Sequence, residues 1–79
     1  MKPENSIGKL IEIIDKESPY YGFWGFVRQW NGEVFHVSGG SIPEEQMPIF
    51  DRNQFKIPRN LEVYIRAGAK IDKDGRENN

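Results

Sequence analysis

The stretch Trp24-Gly25-Phe26-Val27-Arg28-Gln29-Trp30-Asn31-Gly32-Glu33-Val34-Phe35-His36-Val37 decides the class of fold. Trp24 to Trp30 and Glu33 to Val37 are two runs of aromatic and β-branched residues, the types that fit a pleated, half-buried surface. Between them, Asn31-Gly32 is the dipeptide that best tolerates the positive φ of a type I′ turn. A β-hairpin is expected here, its register set at Gly32. Gly25 inside the first run signals a bulge or a close backbone approach, as sharp barrel curvature would require.

On the N-terminal side, Lys9-Leu10-Ile11-Glu12-Ile13-Ile14 is rich in branched residues and too short for a helix before Pro19, so it reads as the first strand. On the C-terminal side, Ser38-Gly39-Gly40-Ser41 opens a loop, and Pro43 and Pro48 leave Glu44 to Met47 room for one helical turn. Met47 to Asp51 reads as a short strand. Arg52-Asn53-Gln54-Phe55 suits a tight turn that drops Phe55 into the core. Leu61-Glu62-Val63-Tyr64-Ile65-Arg66 alternates with period two, which predicts a last strand with Leu61, Val63 and Ile65 inward. Residues 1–6 are polar and 70–79 carry one apolar residue among many charges, so both are expected to be loose ends around a domain spanning 7–69. Five short strands without a long helix predict an all-β, five-stranded SH3-like (KOW-like) barrel, in which closure hides the sheet edges. The alternative, an open oligonucleotide-binding barrel, ordinarily carries a helix for which this chain has no candidate.

At 79 residues the chain has material for one core and little for a recessed active site. Aromatics are 13% of it, more than a minimal barrel needs inside. The absence of cysteine excludes disulfides, thiolate metal ligation and thiol catalysis, and makes an intracellular setting the default. No stretch has the roughly 20 apolar residues of a spanning helix, and Met1-Lys2-Pro3-Glu4-Asn5 lacks the apolar region of a signal peptide, so membrane insertion is not expected. With 11 Lys and Arg against 12 Asp and Glu, there is no global field to draw nucleic acid or anionic lipid.

Chemistry-bearing residues are sparse. His36 is the only histidine, without a partner for a zinc site or a nucleophile–base pair, and it reads as an outward strand residue between Phe35 and Val37. Glu44-Glu45 and Asp72-Asp74 fall in loops, where no enclosed site would split their pKa values, and they read as solvated surface. Ser38-Gly39-Gly40-Ser41 lacks the lysine and following helix of a phosphate loop and reads as a turn. No catalytic residue, cofactor or metal is therefore expected.

The aromatic run stands above this background. Strand alternation cannot place Trp24, Phe26 and Trp30 all on the face of Gly25 and Val27. The plain packing reading puts Phe23, Val27 and Trp30 inward, Trp30 through a phase inversion at a bulge. The functional reading makes Tyr20, Tyr21, Trp24 and Phe26 an exposed patch beside Arg28, since aromatic and arginine side chains most often anchor interfaces.

The run Ile11-Glu12-Ile13, the order Tyr20-Tyr21-x-Phe23-x-Gly25-x-Val27, the turn at Gly32, the strand to Val37, Gly39-Gly40, and Phe50 with Phe55 together resemble the small SH3-like subunit S of the photosynthetic NAD(P)H dehydrogenase-like complex, and KOW-type barrels more broadly. The resemblance covers about residues 10 to 58. It implies a non-catalytic adaptor subunit of a membrane-associated dehydrogenase complex, peripheral on the cytoplasmic or stromal side of the thylakoid membrane, at the site where ferredoxin docks. Protein docking is thus the leading expectation. The alternative is a nucleic-acid-binding KOW-like barrel, with Tyr20, Tyr21 and Trp24 stacking bases while Arg28, Arg52, Lys56, Arg59 and Arg66 contact phosphates. The span from Arg52 to Lys70, where Glu62 is the sole acid, supplies a local basic lean.

Overall fold

A computed structural model describes residues 3–78. β1 (Leu10–Ile13), β2 (Trp24–Trp30), β3 (Phe35–Ser38), β4 (Ile49–Phe50) and β5 (Phe55–Lys56) form one antiparallel sheet in the order β4-β3-β2-β1-β5. Four consecutive strands make a meander and the fifth returns beside the first, so the edge strands β4 and β5 are joined by only a 3-10 turn at Arg52–Gln54. That short link curls the sheet into a small all-β, barrel-like fold. The turn is braced by Gln54, whose Oε1 accepts from the Asp51 N–H at 2.7 Å and whose Nε2 donates to Asp15 Oδ2 at 2.8 Å. Phe55 is thereby dropped into the interior, as the sequence predicts.

The main core lies on the concave face: Ile11, Ile13, Val27, Phe35, Val37, Ile42, Phe50 and Phe55 are buried together, with Tyr20, Phe23, Trp30 and Ile57 packed at its rim. Trp30 reaches it through a bulge. Val27 pairs with Val37 but Gln29 pairs with His36, so Arg28 is the extra residue, and it inverts the phase of the strand behind it. Gly25 is not the bulge. Its role is close approach, because a Cβ there would lie 3.0 Å from the Gly39 carbonyl oxygen and 3.1 Å from Val37 Cγ1.

Three sequence expectations are corrected. The hairpin turn is not type I′, since Gly32 alone has positive φ (97°). Asn31 instead closes an Asx turn, its Oδ1 accepting from the N–H groups of Glu33 and Val34, both at 3.0 Å. Secondly, Leu61–Arg66 is not a strand. Glu62–Arg66 form the one-turn helix α1, which ends where Gly68 takes a φ of 99°. Its inward residue is Tyr64, while Val63 and Ile65 are exposed, the reverse of the period-two reading. Six residues are too few to separate the two periods, and the fifth strand position was already filled by Phe55-Lys56.

Thirdly, the described residues outside 7–69 carry structure that their composition does not predict. Pro3–Ser6 form a 3-10 turn with Ser6 buried. Residues 71–77 fold into a tight hairpin, with Ile71 bridging Glu77 and Arg76 bridging Lys9. Its turn is closed by Asp72, whose Oδ1 accepts from the N–H groups of Asp74 (2.9 Å) and Arg76 (3.0 Å). The hairpin is stitched to β1 where the Leu10 N–H donates to the Gly75 carbonyl at 2.8 Å. Arg76 donates to the carbonyls of Ile7 and Asn5 at 2.7 and 2.8 Å. Charged composition argues against a core, but this segment is held by hydrogen bonds to distant partners that local composition does not display.

Candidate functional site

The predicted exposed patch divides into four environments. Trp24 and Phe26 lie on the face of β2 opposite the main core and join a second, smaller core with Leu10 and Tyr64, flanked by Ala69 and Ile71. Trp24 packs edge-on against Tyr64 at 5.6 Å and Phe26 at 6.1 Å between ring centroids. Phe26 is buried and Trp24 half-buried, so neither is the open anchor expected of them. The surplus of aromatics is explained by this second core, which the C-terminal segment covers. Trp24→Ala is accordingly expected to destabilise the fold by about 2 kcal/mol, below the range for a fully enclosed tryptophan. A urea-denaturation midpoint equal to that of the parent would place Trp24 outside the packing.

Tyr20 is half-buried at the rim of the main core, its ring edge-on to Phe23 and Phe50 and its hydroxyl bonded to Gln46 Oε1. Arg28 is fully engaged. Its Nε donates to Ser38 Oγ at 3.1 Å, Nη1 bonds Glu77, Nη2 bonds Glu44 at 2.9 Å, and its guanidinium lies 5.4 Å from the Phe26 ring centroid. The hydrogen bond that Arg28 donates to Glu77 is the main cause that pushes its pKa above the already high ordinary value. Arg28 therefore locks the 39–44 loop and the C-terminal hairpin onto the sheet. Of the five patch residues, only Tyr21 presents its ring to solvent, at 52% exposure.

The cations of the nucleic-acid reading mostly have partners within the molecule, several of them at its surface. Arg52 donates to the Phe55 carbonyl at 3.1 Å and lies 5.1 Å from the Phe55 ring centroid. Lys56 pairs with Glu12 at 3.6 Å and Arg66 with Glu62 at 3.7 Å. Arg59 alone of the five has neither an ion pair nor a ring contact among the described residues.

What the structure brings together instead is a continuous face along β1 and β5. A hollow of about 240 Å³ lies between Ile13, Ile14, Tyr21, Gly22, Glu12 and Lys56. A larger groove of about 510 Å³ runs between β5 and α1, walled by Ile57, Pro58, Arg59, Asn60 and Val63 and floored by Tyr64. The two share Glu12 and Lys56, whose ion pair forms the saddle between them. Burial, and after it the neighbouring Glu12 carboxylate, push the Tyr64 phenol above its ordinary pKa, so it is a neutral hydroxyl at physiological pH. Exposed Tyr21 and Ile14 stand at one end and exposed Val63 at the other. Sequence reasoning singled out Tyr21 but assigned Val63 to the interior, and the groove depends on the helical turn that it read as a strand.

Among the described residues, no group of three or more His, Asp or Glu side chains is placed to hold a metal ion, and no helix is long and apolar enough to cross a membrane. No family model, curated protein or solved structure matches the chain.

Proposed function

We propose that the chain is a non-catalytic docking module, an adaptor that engages a protein partner through the face running from Tyr21 across the Glu12–Lys56 saddle to Val63. The observation that carries this reading is the joining of two hollows into one partly apolar face with a solvent-exposed tyrosine at its end. Tyrosine anchors interfaces because it brings a large rigid area at low rotamer cost. The family resemblance supplies the setting: an electron-transfer complex peripheral to the thylakoid membrane, with ferredoxin as the docked protein.

Titration of the labelled domain with a purified plant-type [2Fe–2S] ferredoxin tests the partner, and Tyr21→Ala tests the face. That substitution should weaken binding by about tenfold or more while leaving the melting temperature unchanged, since the ring is exposed. No binding to the unaltered domain would remove ferredoxin as the partner. Full affinity in Tyr21→Ala would remove the face. A labelled single-stranded oligonucleotide should not bind even at about 50 mM salt, because the paired cations release little counterion.

A further inference from the structure

The larger groove differs from the rest of the docking face in what it offers a ligand. Glu12 and Lys56 at its inner end satisfy one another at 3.6 Å. Arg59 on its wall is exposed and has no ion pair among the described residues. The Asn60 Oδ1 already accepts from the Glu62 N–H at 3.1 Å, which leaves the side-chain amide of Asn60 its NH2 donors. The polar groups left over are therefore donors, one of them a full positive charge. Beside them stand Ile57 and Pro58, both half-buried, and Val63, which is 57% exposed.

We infer that this groove takes an extended acidic segment of the partner protein, with a carboxylate against Arg59 and an aliphatic side chain between Pro58 and Val63. The inference rests on the docking reading and names what the partner brings to this part of the face. Arg59 favours a carboxylate, because a planar guanidinium donates two parallel hydrogen bonds to it. An extended strand suits the site for two reasons. Its side chains alternate at a spacing that lets one meet the cation and its neighbour the apolar wall. The groove is open and continues past Lys56 into the Tyr21 hollow, which suits a chain passing through more than an enclosed small molecule. A single unpaired cation among neutralised ones does not make a phosphate track.

The test is fluorescence anisotropy on the full chain with a labelled peptide of alternating leucine and aspartate, compared with the same peptide carrying asparagine for aspartate. The acidic peptide should bind saturably and the asparagine peptide about tenfold more weakly. Arg59→Gln and Val63→Ser should each weaken the acidic peptide about tenfold with an unchanged circular-dichroism spectrum, while Lys73→Gln, outside the groove, should leave it unaltered. Absence of saturation by about 1 mM peptide, equal binding of the two peptides, or full affinity in both groove variants would each overturn the proposal. A labelled oligonucleotide binding more tightly than the acidic peptide would overturn it in favour of nucleic acid. If capture of a protein partner depends on Tyr21 and not on Arg59 or Val63, the docking face stands and the acidic segment falls. If capture depends on none of them, the docking reading itself falls.

Discussion

Phe55→Ala is expected to cost about 4 kcal/mol, a large part of the stability that a chain of this size possesses. Phe55 is 1% exposed, packs edge-on against Phe35 at 5.1 Å between centroids, and carries the Arg52 guanidinium over its ring at 5.1 Å from the centroid. Removing the ring leaves a cavity at the point where the 3-10 turn delivers β5 to β1, so the loss combines transfer and cavity terms. For a domain of this length it corresponds to a fall of roughly 15–30 °C in melting temperature. Differential scanning calorimetry reads it directly, and a fall of less than about 5 °C would show that Phe55 is not central to the core. The consequence reaches the docking face, because Lys56 and Ile57 follow in the chain and line its groove. Phe55→Leu should retain most of the stability and restore the groove, which separates a packing effect from a binding one.

Gly40→Ala is the second large effect. Gly40 has a φ of 60°, and a Cβ there would meet the Trp24 ring at 2.5 Å and the Trp24 carbonyl oxygen at 2.8 Å. The ring edge could yield, but the carbonyl could not without moving β2. It is clamped by the Ser41 N–H at 3.0 Å and the Ser41 hydroxyl at 3.1 Å. Left-handed backbone costs an alanine about 1 kcal/mol and the overlap about 1–3 more, so a total of about 3 kcal/mol is expected. Chemical denaturation measures it, and hydrogen exchange at Trp24 and Ser41 would show where the strain is released. A variant within about 0.5 kcal/mol of the parent would mean that the loop docks on Trp24 less closely than the structure has it. By contrast, Gly22 and Gly32 have open space around an added Cβ, and there only the positive φ would be felt.

These two residues differ in how visible their roles are before folding. Phe55 is legible, because an isolated phenylalanine after a polar turn has few places to go but inward. Gly40 is not, because its constraint is a contact with a residue 16 positions earlier, brought close by β3 and the loop after it.

The same division runs through the whole molecule. Residue type and period were sufficient for β1, β2 and β3, each a short apolar run bounded by Asn, Gly or Pro, and for the polar turn that leads into Phe55, though not for the type of the hairpin turn. They were sufficient also for the inward set Phe23, Val27 and Trp30, since alternation with one inversion admits few other arrangements. They could not decide the other face of β2. Trp24 and Phe26 point there whatever covers them, and what covers them is Tyr64 with Ala69 and Ile71. The C-terminal hairpin beside them is held down by Arg28, Arg76 and the Leu10 N–H across separations of 49 to 71 residues. Such partners carry no local signature, because a charged segment looks the same in sequence whether its carboxylate meets water or a guanidinium. Helix or strand at Glu62–Arg66 was likewise settled by tertiary structure, since β5 already occupied the place beside β1 and the remaining apolar seat was Trp24, which one turn of helix fills with Tyr64. The aromatic excess was thus plain in the composition, while the placing of Trp24 and Phe26 in a second core and of Tyr21 in solvent was fixed only when residues 64–71 folded over the sheet.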